Sequence, residues 1–189
     1  MKILTFGEIM LRLKTPDHLR IVQTDGFEAS YGGAESNVAV SLATLGDDAA
    51  FVTKLPKNPV GDAAFNELRR YGVDTSRILR GGPRLGIYYF EKGSDIRPTN
   101  VLYDRAGSAL AEADAGEFDW KALLDGVDIF FFSGVTPAIS TSVEQAVRDA
   151  LQYCHAHGIT VICDLNYRTK MWSREKAQSV MKELMQYVD

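Results

Sequence analysis

Short β-rich runs alternate with helix-length amphipathic runs along most of this chain, and that order of elements admits few architectures. It is the pattern of an α/β fold built on a parallel sheet. Ile3 to Phe6 reads as a strand stopped by Gly7, Glu35 to Leu45 as a helix closed by Gly46, and Ala50 to Leu55 as the next strand. A second helix spans roughly 60 to 71, on the spacing of Ala63, Ala64, Phe65, Leu68 and Tyr71. Ile129 to Ser133 forms another strand. From Ser142 to His157 the stripe Val143, Ala146, Val147, Ala150, Leu151 and Cys154 marks a helix, with Thr141 and Glu144 as a capping box and Gly158 as its stop. "ITVICD" is apolar without alternation and reads as a parallel strand covered on both faces; a last helix runs from Ser173 to about Tyr187. Crossover-length helices between strands predict a doubly wound, mainly parallel sheet, with ligands held just beyond the carboxyl ends of the strands.

Two segments break this rhythm. "IMLRLKTPDHLRIVQTDGFEASY" and "RLGIYYFEKGSDIRPTNVLYDR" carry alternating, aromatic-rich runs separated by turn residues, and read as antiparallel hairpins. Together they suit a small separate sheet able to close over a substrate as a lid. The expected division is an α/β core from residues 1–9, 32–83 and 106–189, and a β-sheet lid from 10–31 and 84–105. "MKELMQYVD" stops where a helix should hand over to a further strand, so the fold reads as cut in the middle, with its C-terminal half absent.

The 189 residues, 46% of them hydrophobic, suffice for one sizeable core. A net charge of −4 argues against a broad footprint for nucleic acid or anionic lipid and leaves small molecules as the expected partners. Cys154 and Cys163 show no metal or redox spacing and read as reduced core residues. His18, His155 and His157 have no partners at catalytic or metal spacing, so no metal site is expected, and Ser133 lacks the G-x-S-x-G setting of a hydrolase nucleophile. "MKILTFGEIM" has neither the apolar segment nor the cleavage site of a secretion signal, and no run approaches the about 18 apolar residues of a membrane helix; the expected location is the cytoplasm.

"YGGAESNVAV" places Gly32 and Gly33 before a helix whose amide N–H groups can meet a bound oxygen, with Asn37 able to donate and accept. The same stretch also suits a glycine turn entering a packed helix, and local sequence does not separate the two. It is neither a Walker loop, G-x-x-x-x-G-K-S/T, nor the dinucleotide fingerprint G-x-G-x-x-G. In "VLYDRAGSAL", Tyr103 and Arg105 share one face of a strand, and Tyr88 on the preceding hairpin strand can join them, although a lone arginine and tyrosine more often read as a solvated charge and a half-buried ring. "DLNYR" follows a strand and offers Asp164, Asn166 and Arg168, although Asp and Asn also favour a plain turn. Arg105 and Arg168 together would suit a carboxylate.

Taken in order, "GGAESNVAVSLATLG", "PVGD", "GIYYFEKG", "VLYDRAGSA", "FSGVTPAIS" and "DLNYR" resemble the ribokinase-like carbohydrate kinases, most of all their 2-keto-3-deoxygluconate kinase branch. The resemblance runs from Gly7 to about Trp172. It implies a three-layer α/β sandwich with a small lid sheet that often makes dimers, and transfer of phosphate from ATP, with Mg²⁺, to a hydroxyl of a sugar acid, here 2-keto-3-deoxygluconate to its 6-phosphate. Gly33, Asn37, Tyr88, Tyr103, Arg105 and Arg168 match the acceptor-binding positions. Arg12 stands where relatives acting on neutral sugars commonly carry an aspartate, which is consistent with an anionic acceptor. The G-A-G-D-like segment bearing the catalytic base has no counterpart after Arg168, so no catalytic residue is expected within these 189 residues and the chain alone is expected not to turn over. A fructokinase of the same fold and a non-catalytic sugar-acid-binding module are the alternatives.

Overall fold

The computed structural model describes all 189 residues. Its main sheet contains β1 (Lys2–Phe6), β4 (Asp48–Val52), β9 (Ile129–Ser133) and β10 (Thr160–Asp164), in the spatial order β10-β9-β1-β4, with every pairing parallel. The chain grows from β1 toward β4 and then returns to the other side of β1 for β9. The loops leaving β1 and β9 therefore diverge, and the crevice between them is the place where open α/β sheets bind ligands.

Alternation along these strands divides the core. Leu4 and Phe6, Ala50 and Val52, Phe130 and Phe132, and Val161 face α4 (Thr141–His157) and α5 (Arg174–Leu184), whose Val147, Leu151 and Leu184 are buried against them. The short α3 (Trp120–Leu123) closes the same side. On the opposite face Phe51 packs with Ala39 of α1 (Ala34–Leu45) and with Ala64 and Leu68 of α2 (Pro59–Arg70). Three layers result, but α1 and α2 do not reach across the whole sheet.

That shortfall corrects one expectation. β10 is buried on one face only: Val161 is inside, while Ile162 is 45% exposed on the other face. Its run of apolar residues reflects a face that this chain leaves bare. The strand expected from Ala50 to Leu55 is broken at Thr53; β5 (Lys54–Leu55) departs to pair with β6 (Leu79–Arg80) in a separate two-stranded sheet. The expected capping box at Thr141 is also displaced. Ser140 is the N-cap, accepting from the Val143 amide at 3.3 Å, and Glu144 instead pairs with Arg148 one turn on, at 2.9 Å. α5 ends at Leu184, and Met185–Tyr187 continues as a 3₁₀ turn. Cys154 and Cys163 are free thiols, and burial pushes both up to about 12.

The two hairpins are β2 (Met10–Lys14) with β3 (Glu28–Gly32), and β7 (Ile87–Glu91) with β8 (Asn100–Asp104). A parallel pairing of β2 with β7 joins them into a second four-stranded sheet, in the order β3-β2-β7-β8. Register puts Arg12, Tyr88 and Tyr103 on one face and Leu13, Tyr89 and Leu102 on the other. No helix is long and apolar enough to cross a membrane.

Candidate functional site

The first face of the second sheet meets the glycine turn at the entrance to α1. Gly33 is the N-cap of that helix, and a Cβ there would lie 1.8 Å from the Glu8 carbonyl oxygen, so close backbone approach excludes any side chain. A Cβ on Gly32 would stand 3.4 Å from Asn37 Oδ1 and 3.7 Å from the Tyr88 hydroxyl, so the structure brings both polar groups to this turn. Asn37 is exposed in the first turn of α1. Tyr88 and Tyr103 lie side by side, ring centroids 5.7 Å apart. The Tyr88 phenol is held above its ordinary value, chiefly by burial, with the positive Arg12 acting the other way.

Arg105 closes the group. Its guanidinium is 5.5 Å from the Tyr103 ring centroid, and its Nε stands 2.6 Å from Glu8 Oε2 as an ion-pair contact rather than an aligned hydrogen bond. Nη1 and Nη2 face the sulfurs of Met171 at 2.9 Å and Met10 at 3.3 Å. Arg12, on the same face of the sheet as Tyr88, lies 4.1 Å from the Phe90 ring centroid, and its buried Nε has no hydrogen-bond partner.

Arg168 is exposed in the loop after β10 and makes no ion pair; its carbonyl accepts from the Met171 amide at 3.0 Å. That loop nevertheless reaches the second sheet, through Met171 at Arg105 and through Lys170 Nζ, which donates to the Val101 carbonyl at 3.2 Å. Asp164 and Asn166 form a local turn, the Asn166 amide donating to Asp164 Oδ1 at 3.0 Å with Asn166 at φ +33°.

Two glutamates escaped the sequence reading. Glu8, directly after β1, accepts from the Ser108 hydroxyl at 2.6 Å and is buried. Glu35, in the first turn of α1, is completely buried and reaches across the crevice: Oε1 accepts from Ser133 Oγ at 2.5 Å, from the Ser133 amide at 3.2 Å and from Thr136 Oγ1 at 2.8 Å. Its other oxygen lies where a Cβ on Gly7 would be 2.1 Å away. Burial raises both carboxyls, and their hydrogen bonds, joined at Glu8 by the charge of Arg105, only partly oppose it. A signal existed: a charged residue just past a strand-stopping glycine obeys the same positional rule that singled out Asp164.

The model for pfkB family carbohydrate kinases matches residues 1–189. The chain belongs to this family. Among its curated relatives is the 2-dehydro-3-deoxygalactonokinase of Haloferax volcanii, 40% identical over 100% of this chain and 59% of that protein. The crystal structure of 2-dehydro-3-deoxygluconokinase from Thermotoga maritima superposes with a TM-score of 0.97 at 56% identity, over 100% of this chain and 58% of that one. A sugar kinase of Pyrococcus horikoshii, solved in complex with ATP, shares the fold at 23% identity and a TM-score of 0.87, covering 99% of this chain and 61% of its own. The fold of this pfkB family chain is ribokinase-like, and it spans about three-fifths of the length of these relatives.

Proposed function

We propose that this site holds the acceptor of an ATP-dependent sugar-acid kinase, with 2-keto-3-deoxygluconate phosphorylated to its 6-phosphate by the intact enzyme. The observation that carries the reading is the convergence of Arg105, Tyr88, Tyr103 and Asn37 on the glycine turn. A guanidinium suits a carboxylate, the phenols and amide suit sugar hydroxyls, and Arg12 adds a second positive charge on the same face. Arg168 joins this set when its loop closes over the acceptor, with Asp164 and Asn166 at the base of that loop. The Haloferax and Thermotoga relatives act, by name, on two sugar acids of one constitution, which supports the substrate class.

The 189 residues by themselves bind the acceptor without phosphorylating it. The buried carboxylates at the crevice support this division, Glu8 being engaged with Ser108 and Arg105, and Glu35 with Ser133 and Thr136. The ATP-bound Pyrococcus neighbour supports the nucleotide as donor. We also infer that the second sheet is a lid and that copies associate through its outer face, where Leu13, Tyr89 and Leu102 form an apolar row and Phe27 meets Tyr89 at 5.9 Å.

The test is calorimetric titration of the chain with 2-keto-3-deoxygluconate, its galactonate epimer and fructose, followed by an ATP turnover assay. Binding of a sugar acid in preference to fructose, without turnover, is expected. Preference for fructose overturns the substrate class, and turnover by the chain alone overturns the division of labour.

A further inference from the structure

A guanidinium offers two hydrogen-bonding edges, one that includes Nε and one between its paired Nη nitrogens, and a carboxylate fits either. At Arg105 the first is occupied by the ion-pair contact with Glu8 Oε2, 2.6 Å from Nε though not aligned as a hydrogen bond. Glu8 is itself fixed from three sides. Ser108 donates to its Oε1 at 2.6 Å, a Cβ on Gly86 would lie 2.9 Å from that same oxygen, and the Glu8 main chain is pressed against Gly33. The second edge meets only the thioethers of Met171 and Met10. Thioethers are weak acceptors, so the strongest donors in the crevice face the poorest partners, an arrangement that favours an incoming anion. Met10 shares the sheet face that carries Arg12, Tyr88 and Tyr103.

We propose that Glu8 is a positioning residue: it anchors Arg105 through Nε, so that the Nη1–Nη2 edge, shielded by two methionine sulfurs, is presented to the carboxylate of the sugar acid. The ligand's identity rests on the sugar-acid reading above; the anchoring of Arg105 does not. An isosteric Glu8→Gln keeps the volume and the Ser108 contact but removes the charge that holds the guanidinium.

The experiment combines calorimetric titration with 2-keto-3-deoxygluconate, melting temperature, and nitrogen-15 NMR of arginine Nε–H groups, on the 189-residue chain and its Glu8→Gln, Arg105→Lys, double and Ser108→Ala variants. The Arg105 signal, identified by its loss in Arg105→Lys, is expected to exchange slowly with water in the wild type and rapidly in Glu8→Gln. Sugar-acid affinity should fall roughly ten- to hundredfold in Glu8→Gln, the worth of a hydrogen bond to a charged group. In Arg105→Lys the same Glu8 change should cost little more, because the two residues act as one unit. Unchanged affinity in a folded Glu8→Gln, or strictly additive losses in the double variant, overturns the proposal. Should Glu8→Gln fail to fold, Ser108→Ala carries the same comparison, with a smaller loss expected and no loss overturning it. A wild-type chain that binds no sugar acid sinks the substrate reading and the ligand half of this inference, while the exchange rate of the Arg105 signal still decides the anchoring half.

Discussion

Glu35 is completely buried with a carboxyl raised by that burial, and the sign of its effect on stability follows. A carboxyl whose folded value lies above its ordinary 4.5 stabilises the fold most when protonated; the benefit is complete below 4.5 and is lost as pH rises through the raised folded value. Glu35→Gln keeps an acceptor for Ser133 and Thr136 but cannot ionise. Urea unfolding at pH 5 and pH 8 should therefore show a smaller loss of stability with rising pH in the variant than in the wild type. Gly33→Ala tests the other tight contact at the crevice. Forcing a methyl group toward the Glu8 carbonyl should cost about 1–3 kcal/mol in the same assay and weaken sugar-acid binding as the turn shifts. At this scale the sequence was legible where a residue type has one common purpose. Shared strand faces allowed the phenols and Arg105 to meet, the family resemblance singled them out, and the structure brings their side chains together. Glu35 was opaque because its meaning lies in Ser133 and Thr136, a hundred residues away in sequence, and no local pattern connects them. For Arg168 the strand-end rule places the loop, which lies exposed after β10, but says nothing of the direction of its side chain.

Among the elements, the second sheet makes the sharpest prediction. Its outer row of Leu13, Tyr89 and Leu102 leaves Leu102 56% exposed, an apolar surface that a second copy could cover. Leu102→Asp should weaken self-association by at least about tenfold in analytical ultracentrifugation, while the melting temperature moves little because the face is already solvated. Strands and helices were legible from periodicity wherever one partner layer sets the pattern, as along α4. The exceptions have local causes. The break at Thr53 arises because β5 leaves the main sheet to pair with β6, and the start of α4 moved one residue because Ser140 and Thr141 are both competent caps. That the hairpins join through a pair running parallel, β2 with β7, was invisible, since each hairpin alone satisfies its own alternation.

For the whole molecule, the uneven third layer matters most. Ile162 is 45% exposed on the bare side of β10, an apolar side chain on an edge strand. Ile162→Lys should raise the concentration at which light scattering detects association, with a change in folding stability within about 0.5 kcal/mol. The sheet order carries a further consequence, one of timing. β1 meets β4 after some forty residues, yet its other neighbour, β9, arrives only once Ile129 to Phe131 have been made; the Lys2 amide bonds Asp128 across 126 positions. At a synthesis rate of about 5–20 residues per second, the second edge of β1 stays open on the ribosome for on the order of ten seconds. During that interval the central strand of the sheet is an unclaimed template, and whatever shields it in the cell decides how much of the newly made chain reaches the native state.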